Sequence, residues 1–415
     1  MRLLILTQYF PPETGAPQNR LFSLALHLAK HGIDVSILTA MPNYPKMEVY
    51  QDYKGKFFSW EKSGPLTIYR SYIYVNQKAN ILVRILNYAS FVLSSAIIGW
   101  LKVGKQDLII CESPPLFLGL TALFLKWKKR ARLIFNVSDL WPESVEKLEI
   151  IRNKSLLRLA YKLEKYIYHK AILVSGQTKG IISNIETRFP EVNTFWLPNG
   201  IDFGQFDANA AGNDFRVKYQ LSNDIFILLY AGILGHAQGL ETVLEAAELL
   251  KANRNIKFIL VGDGPERSQL IKLAKDWKLE NIIFIPNQPR SEMPTIISAC
   301  DAFIVPLKKL ELFLGAIPSK LFEPLVMGKP IILGVDGEAR ELFIDQGNCG
   351  LFYEPENSTA LVQCVDKFYN NKPLVRELGE NGKRYIRESF DREKIATSFY
   401  CKISILIKDQ RNEMH

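Results

Sequence analysis

Cysteine is scarce in this chain of 415 residues and follows no pattern: Cys111, Cys300, Cys349, Cys364 and Cys401 are odd in number, widely spread and free of C-x-x-C pairs. That argues against a disulfide framework and against a cysteine zinc site, and leaves five reduced packing residues. Glycine is missing where a dinucleotide fold would need it. The stretch "YFPPETGAPQNR" lies between an apolar run and a helix-spaced segment, the place of G-x-G-x-x-G, yet it carries one glycine and three prolines. Neither half contains that motif, and the second apolar run, "SILTAMPNY", ends in nothing acidic to hold a ribose, so nicotinamide chemistry fits poorly. No basic leader with a small-residue cleavage site precedes Leu3, and the chain is expected to stay in the cytoplasm. Charge is absent from Ile85 to Leu101, with Arg84 and Lys102 at the edges.

Positive charge is short only in the second half. Residues 1–200 hold 26 Lys and Arg against 14 Asp and Glu, whereas the remainder is slightly acidic in a chain of net charge +9. The basic residues are not interleaved with aromatics as in RNA- or DNA-binding modules, so no nucleic acid partner is expected. An anionic membrane surface or a diphosphate-bearing substrate fits the excess.

The length calls for two domains. Apolar runs alternate with helix-length segments: "RLLILTQ", "DVSILTA", "DLIICES", "RLIFNVSD", "AILVSGQ" and "TFWLP", then, after the loop "LPNGIDFGQFDANAAGNDF", a second series, "IFILLYAG", "IKFILVGDG", "NIIFIPN", "AFIVPL", "KPIILGV" and "CGLFYEP". This predicts an α/β fold of two Rossmann-like, doubly wound domains facing across a cleft, over residues 1–200 and 201–394, with a last helix near 395–415 that packs back on the first. Ligands of such sheets bind beyond the carboxyl ends of the strands.

Within "ILVRILNYASFVLSSAIIGWLK", the uncharged part from Ile85 to Leu101 is at the lower edge of a membrane span in length. It reads as a core helix, as a helix in the membrane interface, or as a span, the last of which would separate the α/β units on either side. Nearby, "PPLFLGLTALFLKWKKRAR" adds an apolar helix ending in Lys126, Lys128, Lys129, Arg130 and Arg132. An apolar face with a basic rim holds anionic lipid, so residues 81–132 are the expected membrane surface. A solvated helix end stabilised by its dipole is the alternative for those charges.

Three stretches of the second half carry most chemistry. "YAGILGHAQGLETV" places Gly232, Gly235, His236, Gln238 and Gly239 between a strand and a helix, where backbone N–H groups approach an anion. "ILVGDGPER" ends a second strand in Gly262 and Gly264. In "GAIPSKLFEPLVMGKPII", Ser319 is placed to cap a helix that presents Lys320 and, three residues on and on the same face, Glu323. A cation at a helix start suits a diphosphate, and a carboxylate one turn later suits two ribose hydroxyls. Pro324 requires that helix to begin close to Lys320.

"PNGID", "AGILGHAQGL", "VGDGPER", "PSKLFEP", "MGKPII" and "GNCGLFYEPEN" come in the order of the successive blocks of the retaining glycosyltransferases of family 4, which the chain resembles over nearly its whole length. The resemblance implies the GT-B architecture and sugar transfer from a nucleotide-diphosphate sugar, expected to be UDP-linked. "YFPPETGAPQNR", "MPNYPKMEVY", "SDLWPES" and "IPSKLFEP" are similar, more narrowly, to a bacterial subgroup that builds O-antigen and capsule sugars, some of them fucosaminyltransferases. That implies a lipid-diphosphate-linked saccharide as acceptor. Most of the family has an Arg and a Lys in the donor loop and two glutamates eight positions apart. Here Ile233, Gln238 and Gly315 stand there, leaving Lys320 as the cation for the diphosphate, Glu323 as the ribose anchor and Glu311 as one substitute for the missing carboxylate. No D-x-D triplet exists in the chain, so no metal and no cofactor is expected.

The acceptor side is expected from the first half. Gly15 lets the backbone of the first turn approach the donor's sugar phosphate, and Arg20 heads the following helix. In "FNVSDLWPES" the family's His-Asp pair becomes Ser138-Asp139, where Asp139 either orients an acceptor hydroxyl and stabilises developing positive charge, or caps the helix after Pro142. With no strong nucleophile, transfer runs through an oxocarbenium-like state that Lys320 and the glycine loop support electrostatically. A sugar-nucleotide epimerase or hydrolase of the same architecture is the competing reading.

Overall fold

Leu3 to Leu6 and Leu108 to Cys111 are solvent-free on both faces, as strands between two helix layers must be. In the computed structural model these runs join two sheets. The structure describes residues 1–13, 15–44, 47–76, 81–147, 153–206 and 212–412; Thr14 of the first turn, Pro45 and Lys46 of "MPNYPKMEVY", residues 207–211 of the joining loop and residues 413–415 of the last segment lie outside the described residues.

The first unit comprises Met1–Asn199 with Arg392–His415. Its sheet contains β1 (Arg2–Leu6), β2 (Asp34–Ala40), β3 (Phe58–Ser63), β4 (Leu66–Ser71), β5 (Leu108–Ser113), β6 (Arg132–Val137), β7 (Leu173–Gly176) and β8 (Thr194–Trp196). Their order is β3-β4-β2-β1-β5-β6-β7-β8. All pairs are parallel except β3 with β4. That hairpin is absent from the sequence reading; two short runs around Ser63-Gly64-Pro65, with Gly64 at φ 55°, were its signal. Along β1, Leu3 and Ile5 face one helix layer and Leu4 and Leu6 the other, the two-residue period of a strand.

The helix Arg392–Asn412 belongs to this unit. Ala396, Phe399 and Ile403 are buried with Leu21 and Leu24 of the helix Ala16–Lys30, and His31 stacks on Tyr400 at 4.7 Å. Burial of a side chain the size of Phe399 contributes about 1.5–3 kcal/mol, which holds the chain's last helix on its first.

The opposite layer contains the helix Ile81–Leu101, uncharged from Ile85 onward. One face enters the core through Phe91 and Ile98, and Gly99 lies so close to Leu125 that an added Cβ would fall 2.7 Å from its Cδ1. The other face exposes Ile85, Leu86, Leu93, Ile97, Trp100 and Leu101. The helix is therefore half core and half surface.

The second unit, Gly200–Asp391, contains β9 (Phe226–Ala231), β10 (Ile256–Val261), β11 (Ile282–Ile285), β12 (Ala302–Pro306), β13 (Ile331–Gly334) and β14 (Gly350–Phe352). The order is β11-β10-β9-β12-β13-β14. Its ends meet where Ile201 N donates to Phe390 O at 2.9 Å. The winding direction reverses between β1 and β5 in the first sheet and between β9 and β12 in the second, which makes the carboxyl ends of those strands the places for ligands.

Candidate active site

In the second unit, the loops after β9 and β10 are pressed backbone to backbone. A Cβ on Gly262 would fall 1.9 Å from Gly232 O, so glycine is obligatory in that pair. Leu234 N donates to Asp263 O at 2.9 Å, carrying the contact to Gly264, where a Cβ would meet Leu234 O at 2.4 Å. Beyond Gly235 the chain makes a single 3-10 turn, His236–Gln238, closed by Gly239 at φ 58°. Gly239 takes the left-handed conformation that glycine adopts without strain.

This turn orients two lysines. Lys320 Nζ donates to Tyr230 Oη at 2.9 Å and to Gln238 Oε1, and lies 4.4 Å from the centre of the Tyr230 ring. Tyr230 Oη in turn donates to Ile233 O at 2.6 Å. Among the described residues no carboxylate pairs with Lys320, and desolvation lowers its ammonium to about 7. On the other side of the turn, Lys308 follows β12. Its N–H donates to Ala237 O at 3.0 Å, and its Nζ is 3.0 Å from His236 Nε2. His236 Nδ1 lies 2.7 Å from Glu266 Oε1, which selects the tautomer that donates to Glu266 and accepts from Lys308. Sequence reasoning missed Lys308 because its place depends on the neighbouring strand.

Ser319 does not cap. It opens a 3-10 turn, Ser319–Leu321, with Pro318 at the cap position, and the α-helix begins only at Phe322, running to Val326. Pro324, third in that helix, needs no donor there, which explains the delayed start. Glu323 falls in the first turn of this short helix rather than one turn along a longer one. The loop before it leaves Gly315 in open space and places Glu311 beside a cavity of about 390 Å³ lined also by Leu314 and Asp336.

In the first unit, the carboxyl ends of β1, β5 and β6 hold a closed polar network. The helix after the first turn starts at Ala16, so Arg20 does not head it but lies one turn in, buried. Arg20 Nη2 donates to Glu112 Oε1 at 2.5 Å and to Ser138 Oγ at 3.0 Å. Ser138 donates to the same Glu112 oxygen, and Asn136 Nδ2 to Oε2 at 2.7 Å. Gln177 Nε2 reaches Ser138 Oγ at 2.5 Å. Ser138, expected on the acceptor side, is partly buried and bonded to Arg20, Glu112 and Gln177. Glu112 was invisible in the sequence, since its partners lie far away along the chain.

The prolines of the first turn are pinned instead of flexible. Glu13, buried, accepts from Asn43 N at 2.7 Å and Tyr44 N at 2.9 Å, and Arg70 Nη2 donates to Pro11 O at 2.6 Å. Desolvation raises the Glu13 carboxyl although these amides oppose it. Gly15 is extended, at φ 170°, and an added Cβ would meet only the Gln18 amide, 2.4 Å from Oε1. Asp139 accepts from Ser144 Oγ at 3.1 Å; desolvation raises its carboxyl and that hydroxyl counteracts it.

The basic cluster is partly spent. Lys126 donates to Lys170 O at 2.5 Å, Lys129 to Val103 O at 2.6 Å and Arg132 to Ile407 O at 3.0 Å. Lys128 lies over the Trp127 and Trp100 rings, at 4.1 and 5.1 Å.

Comparison with known proteins gives this geometry its class. Residues 213–385, all within the second unit, match the family model described as Glycosyl transferases group 1. Over 411 residues the chain is 26% identical to the putative colanic acid biosynthesis glycosyl transferase WcaI of Escherichia coli K12, covering 96% of this chain and 98% of that one. It is 20% identical over 412 residues to the O-antigen chain mannosyltransferase C of Escherichia coli, with 99% and 100% covered. The solved structure of Anabaena Alr3699/HepE, in complex with UDP and glucose, aligns at TM-score 0.71 and 16% identity over 97% of this chain and 99% of that one. The protein is a glycosyltransferase of the GT-B architecture. The group 1 match lies in its second unit, and the proteins to which the chain is similar include ones named for colanic acid and O-antigen synthesis.

Proposed function

We propose that the protein moves a sugar, with retention, from a UDP-linked donor to a lipid-diphosphate-linked saccharide during assembly of a bacterial surface polysaccharide. The observation that carries this reading is Lys320: an ammonium desolvated among neutral partners at the start of a short helix, beside a glycine-lined loop, within the group 1 domain. A diphosphate supplies the counter-charge that the protein withholds. Glu323 takes the ribose hydroxyls, and the amides around Gly232, Gly235, Gly239, Gly262 and Gly264 surround the phosphates. HepE, which binds UDP and glucose, supports the choice of nucleotide. The similarity to fucosaminyltransferases makes an N-acetylated aminosugar the first donor to test.

In the reaction, the bond from the sugar's anomeric carbon to the phosphate oxygen breaks. The acceptor hydroxyl forms the new bond on the same face and its proton passes to the departing phosphate. Lys320 stabilises the charge that grows on that phosphate. Asp139 stabilises positive charge on the sugar or orients the acceptor. The backbone at Gly15 does not itself require glycine, so the close approach of a ligand to the turn is the role left to it. No metal is needed in this scheme.

The acceptor's lipid calls for a membrane surface. The exposed face of Ile81–Leu101 with Trp127 supplies the apolar part, and Lys102 and Lys128 the basic part. The protein works on the cytoplasmic face of the cell membrane as a peripheral protein. The test is a screen of nucleotide sugars with membrane extracts, reading glycolipid mass. A new glycolipid one sugar heavier is expected. Nucleotide release that is equally fast without lipid would make the protein a hydrolase instead.

A further inference from the structure

The group 1 domain lacks the two donor-loop cations that its family resemblance leads one to expect, Ile233 and Gln238 standing in their places. Ile233 is exposed and carries no charge. One lysine is little charge for a diphosphate. The turn His236–Gln238, however, holds a lysine on each side. Gln238 receives the Lys320 ammonium, and His236 receives that of Lys308. The two lysines come from different loops, one after β12 and one at the start of the Phe322–Val326 helix, and meet at the strand pair where the sheet changes direction.

Lys308 differs from its neighbour in a telling way. Lys309 is paired with Glu354 at 2.5 Å and its N–H with Glu356 at 2.8 Å. Among the described residues Lys308 has no carboxylate of its own; Glu266 reaches it only through the His236 ring. Its stem is fixed, because its Cγ lies 3.4 Å from the place of a Cβ on Gly239 and its N–H is bonded to Ala237 O. Two ammonium groups bonded to the same turn through neutral partners offer an anion two donors at once.

We propose that Lys308 is the second cation of the donor diphosphate site, with His236 and Gln238 as the residues that position the pair. This rests on the reading of Lys320 as a phosphate ligand and extends it to a residue that no motif marks. The phosphate oxygens take the place of His236 as the partner of Lys308, just as they take that of Gln238 for Lys320.

The experiment measures UDP and uridine binding by calorimetry for the full chain, Lys308→Gln, Lys308→Arg and Lys320→Ala, with melting curves for each. Lys308→Gln should weaken UDP by about tenfold or more, the loss expected for one charge-assisted hydrogen bond, and leave uridine unchanged. Lys308→Arg should recover most of the UDP affinity. Without ligand, Lys308→Gln should melt no lower than the parent, since among the described residues no carboxylate pairs with Lys308, while the UDP-induced rise should shrink. Wild-type UDP affinity in Lys308→Gln together with a loss in Lys320→Ala would overturn the role of Lys308 and keep that of Lys320. Wild-type affinity in both variants would remove the phosphate site itself. An equal loss of UDP and uridine in Lys308→Gln would show a merely structural residue and overturn the proposal.

Discussion

The two sheets reverse direction at corresponding points, and the chain treats those points in opposite ways. At β1 and β5, Arg20 is closed off by Glu112, Ser138 and Asn136 complete the network, and the charges cancel inside the protein. At β9 and β12, Lys320 and Lys308 are held by an amide, a phenol and an imidazole, and among the described residues no carboxylate pairs with either directly. The first arrangement is a scaffold, and the second is the one we propose to hold an anion. The difference also corrects a lesson drawn from composition. The first half carries the positive excess, yet its buried Arg20 and Arg70 are paired with Glu112 and Glu61, and half-buried Arg188 with Glu164. The slightly acidic half holds Lys320 and Lys308 near one loop, and among the described residues neither has a carboxylate of its own. Pairing, not net charge, locates an anion site.

The largest expected effect breaks the paired side. Glu112→Ala leaves Arg20 buried without its counter-ion and Asn136 without an acceptor, and should cost about 3–5 kcal/mol in urea unfolding. A loss below about 1 kcal/mol would mean that the network is not what holds these strand ends. In the second unit, Glu323→Gln should weaken UDP binding by about 1.5–3 kcal/mol while the chain still folds. Unaltered UDP affinity would sink the ribose assignment. The smallest effect belongs to the surface. Lys128→Gln should reduce sedimentation with anionic vesicles by about 1 kcal/mol, in a salt-sensitive manner. Lys126→Gln and Lys129→Gln should do less, because those ammonium groups are bonded to backbone carbonyls and desolvated. Equal losses from all three would restore the uniform basic rim.

What was legible in the sequence was whatever local periodicity or a short motif encodes. Every apolar run from "RLLILTQ" to "CGLFYEP" is a strand, and the glycines after β9 and β10 are where a tight backbone contact requires them. The hairpin of β3 and β4 went unread because its runs are half-exposed and mixed in polarity. The helix start at Phe322 instead of Ser319 follows from Pro324, which was noticed but placed two residues too far along. Arg20, Ser138 and Glu112 come together only through parallel pairing of β5 with β6, so their neutralisation is a tertiary fact. Lys308 reaches the donor loop for the same reason, through β12 beside β9.

The most direct test of the unpaired site is the titration of the Lys320 side chain, followed by carbon NMR in protein with labelled lysine and assigned with Lys320→Arg. The folded chain holds this ammonium at about 7, far below an ordinary lysine. Since the unfolded chain keeps the proton up to the usual lysine range, the ligand-free protein should gain stability as pH rises above about 7. UDP should reverse the shift, moving the midpoint up by at least one unit, and its affinity should fall as pH rises through the free-protein midpoint. A Lys320 midpoint unchanged by saturating UDP would contradict the account, because the ammonium would then have no share in holding the diphosphate.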